Sequence, residues 1–279
     1  RDSIHCGRLG DDVERDLAAR PNVVAKLSGF GTFIHFIKGP LTAETNEASR
    51  ELLDKLIEQT STSDASLYVD TIISPSFRTA VAQIVQIPGM SGMENNSILF
   101  EFEKDDEEGL RNIIDGCEFA AAVGYNICVL RSSSHTFGRR RKIHMWLTSE
   151  DYRNASFKII LAYIIMGHPD WKKCETTLFV AFRKDEMDRE VGDLSAMIAQ
   201  GRIPISHKNV VQVPLTGTDV FDALVSERSR EADLVITGFS LSKLRADNGA
   251  FMKGFEKMPQ VLFVRAGQEI LITRDTKTP

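Results

Sequence analysis

Residues Asn209–Thr237 read NVVQVPLTGTDVFDALVSERSREADLVIT, and this stretch decides the fold class. Asn209–Leu215 reads as a strand, Val220–Arg230 as a helix and Asp233–Thr237 as a second strand. The second strand, LVITG, is a continuous apolar run, as is VLFVR at the close of the sequence. Strands buried on both faces of a parallel sheet read that way, and a helix between two of them supplies the crossover that a parallel pair requires.

Working outward, the same alternation fills the chain. Toward the amino terminus lie a strand at Ile143–Leu147, a helix at Tyr152–Met166, a strand at Thr176–Phe182 and a helix at Asp188–Gln200. Toward the carboxyl terminus lie a short helix at Gly249–Lys257 and a strand at Gln260–Arg265. The first half repeats the theme. Strands are expected at Asn22–Phe30, Gly31–Lys38, Ala65–Ile73, Ser97–Phe102 and Asn126–Arg131, and helices at Thr45–Thr60, Phe77–Ile87 and Glu107–Val123. Leu52, Leu53, Leu56 and Ile57 form the apolar stripe of the first helix, with Thr45 as its N-cap. The acids Asp105–Glu108 suit the positive end of the third helix. The expected architecture is therefore α/β, with two similar units, each a roughly five-stranded, mainly parallel sheet flanked by helices on both faces. Ser132–Lys142, with its Ser, Gly and charge, marks the boundary. The units are residues 1–136 and 137–279.

One place breaks the pattern. Gly29-Phe30-Gly31 is too short for a parallel crossover. Either those first two strands are antiparallel, or the crossover between them is absent from the sequence; the second fits the rest of the alternation better.

The bulk numbers bound the function. Of 279 residues, 42% are hydrophobic and 26% charged, ordinary globular usage. A net charge of -5 disfavours a broad nucleic-acid surface. The longest apolar stretch, Phe157–Gly167, is interrupted by Lys158 and falls short of the roughly 18–20 residues of a spanning helix. Cys6, Cys117, Cys128 and Cys174 have no paired spacing, so they read as reduced thiols without a zinc site. Cys117 and Cys128 read as small core residues.

No motif assigns a catalytic, cofactor or metal residue. G-x-G-x-x-G, the Walker loop, G-x-S-x-G and H-E-x-x-H are all missing from the sequence. Gly238-Phe239-Ser240, at a strand's carboxyl end, is the nearest candidate for a phosphate contact, against an ordinary strand-exit turn. His35 and His144 read as packing residues within strands, and His168 as a C-terminal cap favouring an imidazolium. Arg139-Arg140-Arg141-Lys142 either meets anionic lipid or is a solvated, acid-paired linker. The helix Tyr152–Met166, apolar nearly all round, is buried by the sheet alone or by the sheet and a second subunit.

The run Arg139-Arg140-Arg141-Lys142-Ile143-His144-Met145-Trp146-Leu147, then Asn154 through Ala162-Tyr163-Ile164-Ile165, then His168-Pro169-Asp170-Trp171-Lys172, resembles the C-terminal cytosolic domain of cation-chloride cotransporters. Ala232–Gly238 and Gln260–Val264 fit the same pattern. The chain looks most like a prokaryotic member, because it lacks the long acidic and Ser-rich inserts of animal ones. The resemblance implies a tandem of two units similar to universal stress proteins, on the cytoplasmic face of the cell membrane. Its expected partners are a second copy and the membrane-spanning transporter domain of the same polypeptide, with no nucleic acid. Contact of the basic linker with anionic lipid is a further expectation. The implied role is regulation and dimerisation, without catalysis or cofactor. The alternative is a free tandem universal-stress-type nucleotide sensor. Such proteins bind ATP through G-x-x-G-x9-G-[ST] after the fourth strand, whereas Gly238–Gly249 here has lost that glycine spacing.

Overall fold

The computed structural model describes residues 4–6, 31–61, 67–87, 95–132, 137–185, 187, 191–192, 205–216, 220–255, 258 and 260–268. In the first half these form β1 (Ile4–Cys6), β2 (Gly31–Lys38), α1 (Ala43–Ser61), β3 (Leu67–Ser74), α2 (Phe77–Ile84), β4 (Ser97–Glu103), α3 (Glu107–Ala122) and β5 (Asn126–Ser132). The second half opens with β6 (Lys142–Thr148), a 3-10 turn at Ser149–Asn154 and α4 (Ala155–Met166). It continues with β7 (Glu175–Arg183), β8 (Val210–Leu215), α5 (Phe221–Arg228), β9 (Leu234–Gly238), α6 (Leu241–Ala246), α7 (Ala250–Lys253) and β10 (Val261–Arg265). The expected strand at 22–30 lies outside the described residues, and so does the expected helix at 188–200 apart from residues 191–192.

All ten strands join one sheet, in the order β3-β2-β1-β4-β5-β10-β9-β6-β7-β8. Counted within its own half, each set of five runs 3-2-1-4-5. Every adjacent pair is parallel except β5 with β10, where Val261 faces Arg131 and Arg265 faces Ile127 in an antiparallel ladder. The two fifth strands thus form a seam, and the carboxyl ends of one half's strands lie at the same end of the sheet as the amino ends of the other's. The three-residue β1, which shows no periodicity, sits at the centre of its half between β2 and β4.

Helices cover both faces, as period-2 alternation along each strand requires. On β6, Ile143, Met145 and Leu147 enter one core with Phe157, Leu161 and Ile165 of α4. Trp146 enters the other core, stacked on Phe179 with centroids 4.6 Å apart. Both cores run across the seam. One joins Leu99, Cys128 and Leu130 to Ile236 and Val264. The other joins Phe100 and Ile127 to Val235 and Phe263. Cys117 and Cys128 are buried, as expected.

Three local expectations are corrected. The cap of α1 is Thr42, not Thr45: each threonine hydroxyl accepts the other's backbone N–H, at 3.2 Å and 2.9 Å, a reciprocal box with Thr45 at the third helical position. Of the α1 stripe, Leu56 is buried, Leu52 and Leu53 are half-buried and Ile57 is exposed. His168 begins the turn Pro169–Trp171, its Nδ1 accepting the Asp170 N–H at 3.2 Å. The end of α4 is capped by Gly167, so His168 caps the start of the next turn rather than the helix end.

Candidate functional site

The second half has its topological switch point between β6 and β9, where the order of strands reverses. Open α/β sheets bind ligands outside the strand carboxyl ends at such points. A cleft of about 470 Å³ opens there. Thr148 of β6, Arg183 of β7, Leu215 of β8 and Thr237 and Gly238 of β9 bring it the strand ends. Phe239, Phe251, Phe255 and Phe263 give it aromatic walls, while Glu150, Asp222 and Lys243 add charge.

The side chain that organises this cleft is Asp151. Its Oδ1 accepts the Thr148 backbone N–H at 2.9 Å and the Thr148 hydroxyl at 3.3 Å, which ends β6. Its Oδ2 is paired with the Nζ of Lys158, which also donates to the Trp146 carbonyl at 2.5 Å. The Lys158 side chain is 1% exposed and that of Asp151 10%. Burial pulls the Lys158 ammonium down from its ordinary range, and the Asp151 carboxylate opposes that. The pair ties α4 to the end of β6. It also requires glycine at 238, since a Cβ there would sit 2.0 Å from Asp151 Oδ2.

Gly238-Phe239-Ser240 does open onto the cleft. The segment beyond it is not an open loop: Leu241–Ala246 is the helix α6, which periodicity does not reveal. Ser240 caps it, accepting the Lys243 N–H at 3.2 Å. A phosphate cradle needs backbone donors pointing outward, but the N–H groups of Leu244, Asp247, Gly249, Phe251 and Met252 all bond within the segment. The two cations that interrupt the glycine pattern have other roles. Lys243 lies 5.2 Å over the Phe251 ring, and Arg245 reaches Glu118 of the first half at 2.5 Å.

His35, His144 and His168 do not converge. His35 is on β2, His144 on β6 and His168 follows α4; none of them lines the cleft. Burial, followed by the nearby Lys142, pushes His144 down to about 4, so it is neutral at pH 7 against Phe179. Burial pushes the Cys117 thiol up and the Cys174 thiol up to about 12, the opposite of a reactive thiolate. Among the described residues no group of three His, Cys, Asp or Glu side chains could hold a metal ion.

The basic run is folded onto acids. Asp233 accepts the backbone N–H groups of Arg139, Arg141 and Lys142 at 2.9, 2.7 and 3.0 Å. Arg140 is paired with Asp170 and Lys142 with Glu231, while Arg139 and Arg141 are exposed. No described helix is long and apolar enough to cross a membrane.

No family model matches the chain. Among solved structures it is similar to the cytoplasmic domain of a prokaryotic cation chloride cotransporter, with TM-score 0.59 and 12% identity, covering 97% of this chain and 98% of that one. A universal stress protein of Archaeoglobus fulgidus aligns with TM-score 0.55 and 12% identity over 95% of this chain and 97% of its own. A functionally unknown protein of Pseudomonas aeruginosa aligns with TM-score 0.54 and 13% identity over 95% and 93%. At these identities the likeness is one of fold: a tandem of universal-stress-like α/β units.

Proposed function

We propose that this chain is the cytoplasmic regulatory and dimerisation domain of a membrane cation-chloride cotransporter, and that it catalyses no reaction. One observation carries the reading: the chain and such a domain correspond end to end, over 97% and 98% of their lengths. The resemblance of residues 139–172 to that family supports it from the sequence. So does the use made of the segment after β9, where a nucleotide-binding relative places its phosphate loop and this chain places the helix α6. In this role the domain sits beneath the membrane part of a symporter, and ion selectivity resides in that part.

The second reading is a free tandem nucleotide sensor, favoured by the aromatic cleft at the ends of β6–β9. Sedimentation in the analytical ultracentrifuge from micromolar to millimolar chain, with and without ATP, separates the two. The assembly reading expects a monomer–dimer equilibrium indifferent to ATP. A monomer at every concentration, or a mass that changes with ATP, would overturn it.

A further inference from the structure

Strand β10 ends on a charge. Val261 and Phe263 enter the core that holds Trp146, and Arg265, two residues further on, follows them on that face of the sheet. Its side chain is half-buried, and its Nη1 is fully buried without a hydrogen bond. Among the described residues no carboxylate pairs with it. The ionisable groups that act on it are Arg153 and the Cys117 thiol of α3, and burial keeps that thiol neutral. Glu118, the acid next to Cys117, is engaged by Arg245 at 2.5 Å.

A side-chain tie brings the second arginine to the same place. Asn154, 2% exposed at the start of α4, accepts the Ala266 N–H through its Oδ1 at 2.9 Å. This bond sets residues 153–154 against residues 265–266, so that an arginine precedes each bonded partner. The Arg153 side chain is exposed and makes no ion pair among the described residues. The Nδ2 of Asn154 makes no hydrogen bond among them either, which leaves a neutral donor next to Arg153.

A cation withdrawn from water costs stability unless it is paired, and a like charge nearby adds to the cost. Burial, and after it the charge of Arg153, pull the Arg265 guanidinium down from its ordinary range. It stays protonated at pH 7, because a guanidinium is not deprotonated in proteins. The arrangement fits an anion that both arginines share. The planar guanidinium fork matches two oxygens of a phosphate, and a phosphate monoester, with about −1.5 to −2 charges at pH 7, balances two arginines.

We propose that Arg153 and Arg265, with the Asn154 amide, form a binding site for a phosphate group at the carboxyl end of β10. The site shares no residue with the lining of the cleft, and it does not depend on the assembly reading.

Titration of the full chain with inorganic phosphate at constant ionic strength tests it, read by calorimetry and by the midpoint of thermal unfolding. The wild-type chain should bind phosphate saturably and unfold at a higher temperature in its presence. Arg265→Gln and Arg153→Gln should each raise the phosphate dissociation constant at least about tenfold. In phosphate-free buffer Arg153→Gln should match or exceed the wild-type midpoint, because it relieves a repulsion. Arg153 is exposed, so the test does not hang on how the Arg265 variant folds. Flotation with phosphatidylcholine vesicles, with and without phosphatidic acid, identifies the source of the phosphate. Retention on the phosphatidic acid vesicles that Arg153→Gln abolishes assigns a lipid headgroup, and phosphate binding without retention assigns a soluble phosphate compound. A wild-type chain that neither binds phosphate saturably nor is retained on phosphatidic acid would overturn the site. So would phosphate binding that Arg153→Gln leaves unchanged, or a phosphate-free midpoint that Arg153→Gln lowers, which would make the arginine a structural residue.

Discussion

The helices α3 and α6–α7 occupy the same slot in their halves, each leading from the fourth strand to the fifth, yet one is continuous and the other broken. α3 runs for 16 residues behind an Asp106 cap that accepts the Gly109 N–H at 2.8 Å. Its counterpart stops after six residues, turns through Asn248 (φ 52°) and Gly249 (φ 73°), and resumes for four. Asp247 holds the turn by accepting the N–H groups of Gly249 at 3.0 Å and Phe251 at 3.2 Å.

The break is what lets the two halves fit. At the turn the backbone of Gly249 comes so near α3 that a Cβ would lie 3.0 Å from Ile114 Cδ1. On either side of it, Arg245 pairs with Glu118 and Lys253 with Glu107, both acids on α3. Beyond α7 the carbonyls of Phe255 and Met258 turn inward and accept from Nη2 of Arg131, on β5, at 2.6 and 2.8 Å. The segment between the fourth and fifth strands of the second half is a joint between halves.

Three substitutions break or sharpen this comparison. The largest effect is expected from Arg131→Ala. It removes a fully buried side chain and strands two inward carbonyls, at a cost of about 3–4 kcal/mol in urea unfolding. A loss below about 1 kcal/mol would mean that those carbonyls are held by something else. Gly249→Ala comes next, at about 1–2 kcal/mol, because alanine resists positive φ and its methyl presses on Ile114. Adding Ile114→Val should recover the steric part of that loss and leave the backbone part, which separates the two causes. The smallest effect is expected from Glu118→Ala. The pair with Arg245 is solvent-exposed, so thermal unfolding should move by less than about 0.5 kcal/mol. A larger shift would make the charged rim, rather than the glycine turn, the joint's main support.

Much of this arrangement is legible in the residues themselves. The strands of the second half announce themselves as uninterrupted apolar runs, and Val261–Arg265 and Leu234–Gly238 lie where VLFVR and LVITG put them. The helix α6 does not, because six residues are too few to show a 3.6-residue period and hold together through the Ser240 cap and packing instead. The antiparallel seam is equally silent, since strand pairing between β5 and β10 joins positions more than a hundred residues apart, and local pattern carries no such information. For the cleft the sequence holds one signal that motif reading passes over. A single lysine, Lys158, stands inside an otherwise apolar run, seven residues beyond an aspartate. A charge in such a place needs a partner within reach, and Asp151, in the turn that leads into α4, is that partner.

The seam has a consequence for how the chain comes into being. Strand β5 is made early, but β10, the strand that covers its outer edge, is made only after the whole remainder of the second half. At ordinary synthesis rates that interval is on the order of ten seconds. Throughout it the nascent first half presents a bare apolar strand edge, open to pairing with any neighbouring chain. A ribosome that stalls or terminates before Val261 would therefore release a half-finished sheet with a live edge.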